Sequence, residues 1–284
     1  MSQTIHIVAK EVGKSDIGSQ DMSHLHGAKI YSQRGLELYD PIVHGLMSPY
    51  AWRCEAAKLS AFFNRNVERA NRAAGSARSP RVMNIGCRTG YFLASAPLAK
   101  GSEVVLVDLN PNCLDASLPV VTRAHPECAD RITTVVGDFL AAGDEPLSLF
   151  ASGSITGRGG LDGVSIMFLL HCLPGPPRKK AEALCRMGGL LRGPDGVLFG
   201  ATILGKGTGQ NWLAKFGLWL NNSKGIFCNY EDDAESFVEV RCDVNFIIVG
   251  LFSMLLLWVT YVVRSEPFVS EGRGIVQKEN ILEC

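Results

Sequence analysis

VMNIGCRTGYFL, running from Val82 to Leu93, has the form of a strand, a glycine turn and a helix start. Val82 to Ile85 is a short apolar run, Gly86 to Gly90 is a tight turn, and Tyr91-Phe92-Leu93-Ala94 opens a helical pattern. Glycine suits such a turn because it adopts positive φ and, lacking Cβ, lets a ligand approach the backbone. The helix that follows offers unpaired N–H groups to a carboxylate or phosphate.

Immediately downstream, Glu103 to Asp108 (EVVLVD) reads as a buried strand that ends in an acid. Asp108 stands about 20 residues beyond the turn, the spacing at which α/β sheets set a carboxylate against a ribose diol. The competing reading of Asp108 is a helix cap, because Asn110-Pro111 follows. The turn Gly86-Cys87-Arg88-Thr89-Gly90 lacks the G-x-G-x-x-G spacing of nicotinamide-binding proteins, which argues against an oxidoreductase.

Outward from this pair the same alternation continues. Pro111 to Arg123 is a helix interrupted at Pro119, with proline favourable at its start. Ile132 to Val136 is β-branched throughout and reads as a third strand, ending at Gly137-Asp138-Phe139. A polar, glycine-rich connection over residues 140–160 leads to Gly163–Leu170, apolar enough to be a strand buried on both faces. His171 follows directly, at the strand end where ligands of open α/β sheets collect. Pro176 to Leu191 gives a helix, Val197 to Leu204 a fifth strand, and Trp212 to Leu220 an amphipathic helix. Strand and helix alternate in units of about 30 residues, predicting an α/β fold with a doubly wound, mostly parallel, Rossmann-like sheet.

Upstream, residues 1–30 lack periodicity and read as a mobile arm, with His24 and His26 in a solvated loop rather than a metal pair. Residues 31–75 are rich in apolar and aromatic side chains, and Ala56, Leu59, Phe62, Phe63 and Val67 fall at helical spacing. The segment serves as core packing, as a helical lid over a cofactor and substrate mouth, or both. Residues 76–263 form the main domain. Near its end, Ser236 to Val244 alternates apolar and polar residues as a half-covered strand does. Phe246 to Val263 (FIIVGLFSMLLLWVTYVV) then carries no charge. It reads either as part of a closing antiparallel strand pair, shared with Phe237–Cys242, or as a membrane helix at the lower length limit. Residues 264–284 are a polar tail.

Composition narrows the function. The 284 residues carry a formal net charge of zero and 46% apolar residues, which permits a sizeable core and gives no electrostatic footprint for nucleic acid. Nine cysteines are scattered without any C-x-x-C, so a metal site is not expected. Free thiols and the absence of an apolar leader point to the cytoplasm, or to membrane attachment if 246–263 is an anchor.

These pieces resemble the fungal class I S-adenosylmethionine-dependent methyltransferases of secondary-metabolite biosynthesis. The resemblance rests on Tyr39-Asp40 with Trp52-Arg53-Cys54, NIGCRTGYFL at 84–93, LVDLNPNCLD at 106–115, LLHCLPG at 169–175, GVLFGATILG at 196–205 and NNSKGIFCN at 221–229, and covers roughly residues 31–229. Two positions depart from it: Asn84 stands where the family has an acid, and Arg88 where it has its middle glycine. The resemblance implies S-adenosyl-L-methionine as cofactor and a methyl acceptor oxygen or nitrogen on a small-molecule natural product. It places Asn84, Gly86, Cys87, Thr89 and Gly90 near the methionine part, Asp108 and Leu109 at the ribose, and Asp138 and Phe139 at the adenine. It offers His171 as general base, and Tyr31, Tyr39 and Trp52 as the substrate lining. The alternative within the same fold is a relative that keeps the cofactor without methylating.

Overall fold

A computed structural model describes residues 40–140, 160–193, 195–206, 209–238, 246–253 and 256–263. The expected arm over 1–30, the polar tail over 264–284, and Tyr31 and Tyr39 lie outside them. The described chain opens with a π-helical segment, Pro41–Ala51. Then come α1 (Ala56–Ala74), β1 (Arg81–Ile85), α2 (Tyr91–Ala94), β2 (Glu103–Asp108), α3 (Pro111–Ala124) and β3 (Ile132–Val136). After β4 (Gly163–Met167) a 3₁₀ turn, Leu170–Cys172, precedes α4 (Pro177–Gly188), β5 (Val197–Ile203), α5 (Trp212–Ser223) and α6 (Ala234–Val238). Strands β6 (Phe246–Ser253) and β7 (Leu256–Val263) close the sheet.

The sheet has seven strands in the order β3-β2-β1-β4-β5-β7-β6. The first five are parallel, and the order reverses between β1 and β4. That reversal is the switch point at which open α/β sheets form ligand crevices beyond the strands' carboxyl ends. β1 and β4 are buried along their whole length, as central parallel strands are. Apolar side chains therefore cover both faces. On one face α1 sends Phe63 against Phe92 and Phe199, with ring centroids 5.7 and 5.3 Å apart. On the other, Met83, Val105 and Val164 pack with α4 through Leu184 and Met187.

At the opposite edge from the crevice, Asp162 is fully buried and binds both guanidinium nitrogens of Arg78 at 2.5 Å and the Arg81 backbone N–H at 2.9 Å. Its own backbone N–H donates to the Arg81 carbonyl, and its carbonyl accepts from Val197. One aspartate thus joins the starts of β1, β4 and β5.

Four expectations change. α3 runs through Pro119 without a break, proline costing one backbone hydrogen bond inside an otherwise intact helix. The alternating segment 236–244 does not start as a strand. Residues 234–238 form α6, whose first turn is satisfied when Asp233 accepts the Ser236 N–H at 2.8 Å, and the remainder lies outside the described residues. The apolar run 246–263 supplies both strands β6 and β7, paired antiparallel from Phe246↔Val263 to Ser253↔Leu256. No helix among the described residues is long and apolar enough to cross a membrane. Finally, Cys185 is disulfide-bonded, whereas Cys54, Cys87, Cys113, Cys128, Cys172 and Cys228 form no disulfide.

Candidate cofactor and substrate site

The glycine turn leaves β1 at Gly86, whose φ of 72° requires the left-handed backbone. Its N–H donates to Val107 at 2.8 Å, tying the turn to β2, and a Cβ there would lie 3.2 Å from Leu169. Gly90 repeats the left-handed geometry at φ 76° and caps α2. α2 has only four residues, so the anion-binding helix end expected from the sequence is a single short turn. Between the glycines, Cys87 is buried with its Sγ 3.2 Å from Ser117 Oγ. Burial, then the nearby Asp108 charge, pushes the Cys87 thiol up.

Asp108 ends β2 with its carboxylate turned back to the turn. Oδ1 accepts the Asn110 N–H at 2.9 Å, and Oδ2 accepts the Arg88 N–H at 3.4 Å. The cap of α3 is Asn110, whose Oδ1 accepts from Asn112 at 3.0 Å, so the cap reading of Asp108 is not the one realised. Burial raises the Asp108 carboxyl above its ordinary range, opposed by these backbone donors and by Arg88.

An open cleft lies here, lined by Gly86, Arg88, Asp108, Leu109, Asp138, Phe139, Leu169, Cys172, Leu173 and Ile226 among others. Its chemistry suits an adenosine: two strand-end carboxylates accept from hydroxyl and amine donors, and the remaining walls are mostly apolar. Asp138 is held in place by the Leu140 N–H, 2.8 Å from its Oδ1. Of the expected cofactor residues, Gly86, Asp108, Leu109, Asp138 and Phe139 meet at this cleft.

Asn84, Cys87, Thr89 and Gly90 instead line a second, smaller cleft, with His44, Tyr91, Phe92, Met167 and Phe168. Gly86 and Arg88 line both. Thr89 donates to Asp40 Oδ1 at 2.9 Å, fastening the N-terminal segment over the turn. Burial raises the Asp40 carboxyl, opposed by that hydrogen bond and by Arg88.

Two of the expected site residues lie outside both clefts. His171 lines neither cleft and is 2% exposed. Phe227 meets its ring edge-on at 4.5 Å, and Nδ1 lies 3.4 Å from Thr202 Oγ1 and 3.5 Å from the Ile203 N–H. Burial, then Arg88 and Lys180, hold it neutral, well below its usual pKa. Its ring is enclosed at the strand end, away from both clefts. Trp52 is likewise 2% exposed and sits beneath α5, where a Cβ on Gly217 would be 3.5 Å from its ring. It belongs to the buried apolar cluster on that face of the sheet.

Sequence reasoning missed His44. Its ring stacks on Tyr91 at 4.2 Å, meets Phe92 edge-on at 5.1 Å, and has Nε2 3.8 Å from Asp40. Burial and then Arg88 lower it to about 4, so it is neutral at neutral pH. Its only signal was a lone polar residue in an apolar run. The π-helical winding that aims it, a geometry frequent at functional sites, is not readable from spacing.

No protein-family model matches the chain. Among curated proteins it is 32% identical over 240 residues to methyltransferase verB of Penicillium polonicum, covering 78% of this chain and 93% of the relative. It is 34% identical over 234 residues to the physcion biosynthesis cluster O-methyltransferase of Aspergillus chevalieri, covering 82% and 93%. Among solved structures, magnesium protoporphyrin IX methyltransferase from Synechocystis with bound S-adenosylhomocysteine superposes with a TM-score of 0.54 at 15% identity, over 86% of this chain and all of the other. That similarity speaks to the fold alone. With these relatives, the strand order and the carboxylate-lined cleft at the switch point, the chain belongs to the fungal class I S-adenosylmethionine-dependent methyltransferases of secondary metabolism.

Proposed function

We propose that this methyltransferase methylates a hydroxyl oxygen of a small-molecule natural product, a nitrogen acceptor being the second choice. The observation that carries the choice of oxygen is the set of relatives, several of them Aspergillus proteins named as O-methyltransferases, one of a biosynthesis cluster. S-adenosylmethionine supplies an electrophilic methyl group, so the protein's task is mainly alignment and exclusion of water. Asp108 and Asp138 hold the nucleoside hydroxyl and amine donors, while Leu109 and Phe139 give the base an apolar seat. The Thr89–Asp40 hydrogen bond keeps the N-terminal segment against the turn and limits water there.

Tyr91, Phe92 and Phe168 give the second cleft aromatic walls suited to a flat, unsaturated acceptor. His44 is the imidazole on that side. Held neutral, it accepts a hydrogen bond from an acceptor hydroxyl but is too weak a base to deprotonate an aliphatic alcohol, which favours acidic phenolic or enolic hydroxyls.

The test is incubation of the purified protein with methyl-labelled donor and matched panels of phenols, enols, aliphatic alcohols and amines, read by mass spectrometry. O-methylated phenols or enols are the expected products. Transfer confined to amines or to aliphatic alcohols refutes the proposal.

A further inference from the structure

The two clefts meet at one charged side chain. Gly86 and Arg88 are the residues common to both linings, and glycine brings no side chain. Arg88 is 8% exposed and stands at φ 47°, a left-handed backbone uncommon for a residue with a Cβ. Its guanidinium turns inward: Nη2 donates to the Phe168 carbonyl, on the second cleft, and lies 3.5 Å from Cys172 Sγ, on the first. A permanent positive charge is thus set between the nucleoside end and the aromatic end of the site. Its field reaches both. It favours the ionised forms of Asp108 and Asp40 and disfavours protonation of His44 and His171. These four groups face it from β2, the N-terminal segment and the turn after β4, and burial itself raises both carboxyls toward neutrality.

A methyl donor that seats its nucleoside in the first cleft and presents its methyl toward the second must bring its sulfonium past this residue. The donor's sulfur is cationic, whereas the demethylated product is a neutral thioether. We propose that Arg88 makes the site charge-selective, disfavouring the sulfonium donor relative to the thioether product. Arg88 is then a specificity-determining residue that sets how strongly the product competes with the donor. The proposal rests on the cofactor assignment above and not on the identity of the acceptor.

Isothermal titration of S-adenosylmethionine and, separately, S-adenosylhomocysteine tests it without any methyl acceptor. Wild type is expected to bind the thioether more tightly. Arg88→Gln is expected to shift the ratio of the two affinities toward the donor by about tenfold, the scale of unit charges about 10 Å apart at an effective dielectric of about 20. Arg88→Gly serves as a second variant, because glycine adopts the left-handed backbone without strain, and Arg88→Lys is expected to retain the preference. A wild type that binds the donor as tightly as the product or more so overturns the proposal, even if no variant folds. So does a ratio that moves less than about twofold in a folded Arg88→Gln or Arg88→Gly protein, since about tenfold is expected from the charge. Wild-type binding of neither ligand overturns the cofactor assignment as well, whereas equal binding of both removes only the role of Arg88.

Discussion

Lys180 on α4 is fully buried, and its ammonium donates to Asp232 Oδ1 at 2.9 Å, Asp232 Oδ2 at 2.7 Å and the Cys228 carbonyl at 2.8 Å. All three of its donors are used. The backbone it grips is anchored elsewhere too: the Asp232 carbonyl accepts from Gly205 and Lys206, and Cys228 donates to His171. Asn229 Nδ2 donates to the Ile203 carbonyl at 3.0 Å. One ammonium therefore straps residues 228–232, just after the cleft-lining Ile226, across the ends of α4 and β5. Lys180→Met keeps the stem and deletes the charge, leaving a buried carboxylate without its cation, which costs about 3–5 kcal/mol.

The pH dependence separates this cause from simple loss of packing. Burial already raises Asp232 to about 6, against an ordinary 3.8, with Lys180 opposing the rise. A folded-state pKa above the unfolded one contributes stability fully present below about 3.8 and lost as pH rises through about 6. Without Lys180 the folded pKa climbs further. The deficit of Lys180→Met relative to wild type should therefore be larger at pH 8 than at pH 5, where Asp232 takes up a proton. Urea unfolding at both values, with unchanged m-values, measures it. Adding Asp232→Leu should recover much of the loss, since an apolar pair of similar volume often replaces a buried ion pair at little cost. A single-mutant deficit below about 1 kcal/mol, or one that does not change with pH, refutes the reasoning.

Three further outcomes are expected. Asp108→Ala should weaken S-adenosylhomocysteine binding by about 1–3 kcal/mol, the cost of a lost buried acceptor, and calorimetry reads it directly. Gly86→Ala, at φ 72° with a Cβ 3.2 Å from Leu169, should cost about 1–2 kcal/mol in urea unfolding from the left-handed backbone alone. Phe63→Ala should cost about 3–5 kcal/mol, since the ring is fully buried against Phe92 and Phe199 and little around it is free to collapse.

The parallel strands were legible because each is a β-branched or apolar run bounded by glycine, proline or an acid. β2 and β3 have the limits expected from the sequence, and β4 is shorter because Phe168 takes a left-handed φ of 54° and the chain turns into a 3₁₀ segment. The first cleft was legible for the same reason: strand ends place Asp108 and Asp138, and the glycine turn must approach them. The second was not. His44 reaches its cleft through π-helical winding, and His171 looks available by position but is enclosed by Phe168, Phe227 and the end of β5, contacts made by residues distant in sequence. Ser236 to Val238, the described start of the expected strand, belongs to α6 instead, because three residues of alternation cannot be told from one capped helical turn.

The Asp162 cluster has a consequence for how such a chain can diversify. It joins the starts of β1, β4 and β5, while the clefts lie beyond their far ends, a separation of about 15 Å or more for five-residue strands. Free-energy changes at sites farther apart than about 10 Å usually add. Replacements around Tyr91, Phe92 or Phe168, in the cleft proposed for the acceptor, therefore spend stability locally and leave the arginine–aspartate foundation at full strength. Lineages can sample acceptor range at one rim of the sheet while selection for a folded enzyme acts at the other.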